Sequence, residues 1–178
     1  MIDPGLSGWK SIAFKTVLIA MLFSGGCTQP PEYPIEPVIS YVGMTKNTMV
    51  QGDGTEDQTW VTISFTDGDG DIGFFKEGSS QVETDLFIRD LRLDAVTEKF
   101  TIPFVPELGA ANGISGEITF RMYTTCCIFP EWVSGQPAPC DTSPEYPMDT
   151  VQYEIYIKDR AGHESNRIQT EPIYLICE

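Results

Sequence analysis

At 178 residues the chain is about one domain long once a targeting segment is set aside. Its formal net charge of -15 repels polyphosphates, which excludes nucleic acid as the default partner and favours cations and basic partners. Hydrophobic residues at 41% and aromatic residues at 11% supply enough apolar surface for a packed core, so a disordered acidic chain is excluded too.

Lys10 and Lys15 precede the apolar run Val17-Leu18-Ile19-Ala20-Met21-Leu22-Phe23, which leads into Ser24-Gly25-Gly26 and Cys27. Basic, apolar, small is the order of a secretory signal, and the run is far short of the roughly 20 residues that span a bilayer as a helix. A cysteine directly after the small residues resembles the lipobox of bacterial lipoproteins, although Ser24 stands where that family usually carries Leu and Met1 to Trp9 form a non-basic preamble. The resemblance implies that residues 1–26 are a lipoprotein signal peptide and that the Cys27 thiol receives diacylglycerol before cleavage makes it the mature N-terminus. An ordinary cleaved signal, with Cys27 left for a disulfide, is the competing reading. Several acyl chains hold a protein stably on a membrane where one does not, so tethering is the first function expected. Residues 27–37, with prolines at 30, 31, 34 and 37, read as an extended spacer, and residues 38–178 as the domain it carries.

Within the domain, apolar and polar residues alternate with period two in short segments, the pattern of strands covered on one face. The segments are Val38 to Met44, Trp60 to Thr66, Thr84 to Leu93, a stretch marked by Phe100, Ile102 and Phe104, another by Ile118, Phe120 and Met122, then Val151 to Ile157, and Ile168 to Ile176. About seven strands separated by Gly, Asp and Pro turns predict an all-β antiparallel sandwich, in which they take the places A, B, C, C', E, F and G. The stretch Tyr153-Glu154-Ile155-Tyr156-Ile157-Lys158-Asp159-Arg160-Ala161-Gly162-His163-Glu164-Ser165-Asn166 resembles the F-G hairpin of bacterial Ig-like and fibronectin-III-like modules. That resemblance implies an Ig-like sandwich. Together with the lipobox and the Pro-rich spacer, it makes the chain similar to surface lipoproteins of the Bacteroidota.

After the second strand comes Thr66-Asp67-Gly68-Asp69-Gly70-Asp71-Ile72-Gly73, with carboxylates at alternate positions and glycines between them. Glycines let the backbone curl so that several oxygens converge, as Ca2+ requires with its six to eight oxygen ligands. The loop is not an EF-hand, because Ile72 and Gly78 stand where that motif needs Gly and a bidentate acid. In a sandwich the B-C and F-G loops share a pole, so Asp159 is expected to join Asp67, Asp69 and Asp71 as a calcium ligand. A solvated acidic turn is the alternative. Asp53, Glu56 and Asp57, between A and B, read as a hairpin turn at the opposite pole.

With Cys27 assigned to lipid, Cys126, Cys127, Cys140 and Cys177 remain, an even number in an exported chain. Three fall in the long E-F connection and Cys177 ends G at the same pole, so two disulfides are expected. One of the adjacent Cys126 and Cys127 pairs with Cys140 and the other with Cys177, the choice left open. A zinc site made of all four thiolates lacks the knuckle spacing of two residues between paired cysteines.

The chain's single histidine, His163, lies in the F-G turn; no nucleophile elbow and no phosphate-cradling motif accompany it, so no enzyme is expected. The leading expectation is a membrane-tethered extracytoplasmic binding or structural module of the bacterial outer membrane, contacting a protein or an envelope component. The second is glycan capture for nutrient uptake, with Phe129, Trp132 and Tyr146 as a sugar platform, against the bland reading that these rings form the loop's own small core. The third is a weak metal-dependent hydrolase at the acidic loop.

Overall fold

The computed structural model describes residues 32–74, 83–106 and 113–177. The chain divides into two units between Pro31 and Glu32. The expected signal peptide and Cys27 lie outside the described residues. The expected spacer is cut by that division, since Glu32 to Pro37 belong to the unit that carries the strands and Pro37 is buried there.

The described residues contain no helix and form ten strands. They are β1 (Val38–Met44), β2 (Thr48–Val50), β3 (Gln58–Asp67), β4 (Leu86–Asp90), β5 (Ala95–Phe100), β6 (Ile114–Tyr123), β7 (Met148–Val151), β8 (Tyr153–Ile157), β9 (Ile168–Gln169) and β10 (Ile173–Ile176). Hydrogen bonding orders them in three sheets, β1-β3-β6, β2-β10-β7 and β5-β4-β8-β9. Residues of all three sheets, among them Ile39, Val61, Ile63, Ile88, Ile155 and Leu175, meet in one buried cluster, an arrangement consistent with a β-sandwich. All pairings are antiparallel except β2 with β10.

The inward stripes follow directly from the side-chain period of a strand. Along β3, Thr59, Val61, Ile63, Phe65 and Asp67 are buried, whereas the residues between them are partly or fully exposed. Along β7 and β8 the odd positions Asp149, Val151, Tyr153, Ile155 and Ile157 are buried, and Asp159 continues the phase. Each stripe therefore delivers an aspartate to an end of the core. The second layer is tied to β1 by Asn166, whose side-chain amide mimics a neighbouring strand by accepting from the Ile39 N–H at 2.8 Å and donating to the Ile39 carbonyl at 3.0 Å.

Three expectations need correction. Seven strands become ten because β2 is too short to show a period and because the last two segments each break where the chain leaves one sheet for another. The strand expected at Phe100, Ile102 and Phe104 lies earlier, at Ala95–Phe100, since most of that edge strand is exposed and polar and its apolar signal comes from the segment that follows. Asp53, Glu56 and Asp57 do not form a hairpin turn, because the strand before them, β2, pairs with β10 while β3 pairs with β1 and β6.

The connection between β6 and β7 holds Cys126, Cys127 and Cys140. Cys126 is joined to Cys140 and Cys127 to Cys177, so the loop is closed on itself and bolted to the end of β10. Beneath it Arg92 bridges two buried carboxylates, donating to Asp90 Oδ2 at 2.7 Å and to Asp149 Oδ2 at 2.6 Å. Asp149 also accepts from the Ile128 N–H at 2.9 Å and the Tyr146 hydroxyl at 2.9 Å.

Candidate metal centre

The turn after β3 and the turn after β8 meet at the pole opposite the disulfides. Asp67 and Asp159 reach it as the final residues of their inward stripes, and both are fully buried, at 0% exposure. Asp69 is exposed and Asp71 half-buried. One carboxylate oxygen from each of Asp67, Asp69, Asp71 and Asp159 lies within 4.8 Å of the other three. The four residues expected to converge are thus brought together.

Local backbone bonds hold the loops in this shape. The Asp71 N–H donates to Asp67 Oδ2 at 2.9 Å, closing the turn, and Gly70 between them takes φ 76°, a conformation that costs glycine nothing. The Ala161 N–H donates to Asp71 Oδ2 at 2.9 Å and the Arg160 N–H to the Asp71 carbonyl at 3.2 Å, which fastens the turn after β3 to the turn after β8. Arg160 reaches past the cluster to the carbonyls of Ile72, Gly73 and Val105 at 3.0, 3.2 and 3.2 Å. Asp159 accepts from the His163 N–H at 2.8 Å and contacts its Nδ1 at 2.7 Å.

The aspartates that end the inward stripes differ in their compensation. Asp149 has Arg92, and Asp159 has His163. Asp67 has only an amide, and its Oδ1, like the Oδ1 of Asp71, is buried with no hydrogen-bond partner among the described residues. A buried carboxylate oxygen left unpaired is costly to keep ionised. Burial, reinforced by the charges of Asp69, Asp71 and Asp159 and offset in part by the Asp71 amide, pushes the Asp67 carboxyl up to about 6. Burial and the charges of Asp159 and Asp69 raise Asp71 in the same way, against the opposing pull of Arg160 and the Ala161 amide. The hydrogen bond to Asp159 raises His163.

The aromatic residues do not form a flat platform. Tyr146 stands edge-on to Phe129 at an interplanar angle of 68° and to Trp132 at 74°, and Phe129 and Tyr146 pack against the core. Only Trp132 is widely open, at 64% exposure. The cause is local: the Tyr146 hydroxyl is anchored on Asp149, which turns the ring away from the Trp132 plane.

Two buried acids outside the expected set serve the fold. Asp85 accepts from the Ile102 N–H at 2.6 Å and the Phe74 N–H at 3.0 Å, pinning the segments that flank the acidic turn. Asp90 is held by Arg92. The signal for Asp90 is its phase, since it follows Leu86 and Ile88 on the inward face of β4.

No family model, curated protein or solved structure gives a significant match to this chain.

Proposed function

We propose that this chain is a lipid-anchored module of the bacterial outer membrane whose Ig-like sandwich is held by a calcium ion at one pole and by disulfides at the other, and that it serves as an extracytoplasmic binding or structural unit. The observation that carries the calcium reading is the fully buried Asp67 with an unpartnered Oδ1 inside a cluster of four aspartates. The all-oxygen donor set suits a hard cation rather than zinc or copper. Magnesium, which keeps most of its water and is bound through one or two carboxylates, suits a cluster of four carboxylates less well than calcium does. Asp67, Asp69, Asp71 and Asp159 would hold the ion, which supplies the positive charge that Asp67 lacks.

The Ig-like reading is supported by the strand order, in which β1-β3-β6 corresponds to A-B-E and β5-β4-β8 to C'-C-F, with β9 and β10 sharing the place of G. A binding or structural role is favoured over catalysis because the chain's single histidine is engaged by Asp159 and the buried acids at the disulfide pole are engaged by Arg92. The lipid anchor is tested by Cys27→Ser, which is expected to move the protein from the membrane to the soluble fraction; unchanged membrane retention overturns it. The calcium site is tested by isothermal titration, where uptake of one Ca2+ per chain is expected and none at millimolar concentration refutes it.

A further inference from the structure

The segment that leads into the domain is seated on the aspartate turn itself. A methyl group on Gly68 would stand 2.5 Å from the Tyr33 carbonyl oxygen and 2.6 Å from that of Pro34, closer than any side chain tolerates. On the other side, a methyl group on Gly113 would meet Cδ2 of the Tyr33 ring at 2.7 Å and the Asp67 carbonyl oxygen at 3.0 Å. Tyr33 is therefore wedged between two glycines against the main chain of the residue that begins the cluster. Gly68 lies between the ligands Asp67 and Asp69, so the backbone that must settle around a cation is the same backbone on which Tyr33 and Pro34 rest.

We propose that cation binding by the aspartate cluster clamps Tyr33 and Pro34 onto this pole, so that the ion fixes the segment by which the chain enters the first strand. The proposal rests on the cluster binding Ca2+. Without a cation, mutual repulsion among the four carboxylates loosens the turn and the seat for Tyr33 with it. With the cation bound, Gly68 and Gly113 hold the two sides of the wedge in register. The coupling is reciprocal: whatever unseats Tyr33 must weaken Ca2+ by the same factor.

The test uses the full chain in detergent, with hydrogen–deuterium exchange over residues 32–37 in CaCl2 and in EDTA, and Ca2+ titration of the unaltered protein, Gly68→Ala and Tyr33→Gly. Slower exchange in Ca2+, with about tenfold weaker Ca2+ binding in both variants, is the expected result. Tyr33→Gly leaves the turn's own sequence intact, so it reports even where Gly68→Ala does not fold. Exchange that is indifferent to Ca2+, or variants that bind Ca2+ as tightly as the unaltered protein, overturns the clamp while leaving the cation site standing. Failure of the unaltered protein to take up Ca2+ overturns both.

Discussion

Asp67 occupies a place where the strand period calls for an apolar side chain. A valine or isoleucine at that position would extend the stripe of Val61, Ile63 and Phe65 at no electrostatic cost, so the carboxylate weakens the metal-free protein. Its folded pKa of about 6 lies above its ordinary value near 4, so its protonated form is the one the fold favours. The stability linked to this group is fully present below about pH 4 and is lost as pH rises through about 6, a difference of about 3 kcal/mol from a shift of about two units. Thermal melts in EDTA are therefore expected to fall between pH 4 and pH 8, and Asp67→Asn, which stays neutral, is expected to flatten that fall by about 3 kcal/mol while abolishing the response to Ca2+. A melt profile identical in Asp67→Asn and the unaltered chain would show that this carboxylate is not under strain. Arg92 is the counter-example at the other pole. Its guanidinium already satisfies Asp90 and Asp149, and Arg92→Met, which leaves both acids buried without a cation, is expected to cost about 3 to 5 kcal/mol by urea unfolding.

At the scale of elements, much was legible. The period-two stripes located β1 and β3 closely because each has one face on the core, and the even cysteine count anticipated the two bridges. The parity of Asp67 and Asp159 with their apolar neighbours was also readable, and it is what turns both carboxylates inward at one pole. Less was readable where a strand has no buried face or is very short. β5 is mostly exposed, and β2 is defined only by its parallel pairing with β10. The partner choice of Cys126 and Cys127 depends on which of two adjacent side chains points inward: Cys127 is buried in the core beside Cys177, and Cys126 faces the loop. The seat of Tyr33 on Gly68 and Gly113 left no pattern in the sequence, since it arises from contact between segments far apart in the chain. The two bridges should differ in weight. Cys127–Cys177 closes a loop of 50 residues and Cys126–Cys140 one of 14, so paired alanine replacement is expected to cost about 4 kcal/mol for the first and about 3 for the second on the chain-entropy account. Denaturant midpoints in the reverse order would count against the long bridge as the main fastening of the loop.

Over the whole domain, the apolar core is closed at its two ends by different chemistry. One end carries an internal cation, Arg92, and covalent bonds; the other presents four acids against His163 and Arg160 and is left short of positive charge. In a chain of net charge -15, a divalent ion at that end lowers repulsion within the cluster and across the surface. On the proposed calcium site, ligand linkage predicts that stability depends on free Ca2+, with a gain of about 2.7 kcal/mol at a hundredfold excess over Kd. The measurement that bears most directly on this account is the melting temperature at pH 8 of the unaltered chain and of Asp67→Asn, each followed as Ca2+ is raised from EDTA to millimolar. A rise of several degrees in the unaltered chain, absent in Asp67→Asn and not reproduced by Mg2+, is the predicted result. A melting temperature that ignores Ca2+, or rises equally in both proteins, would contradict it.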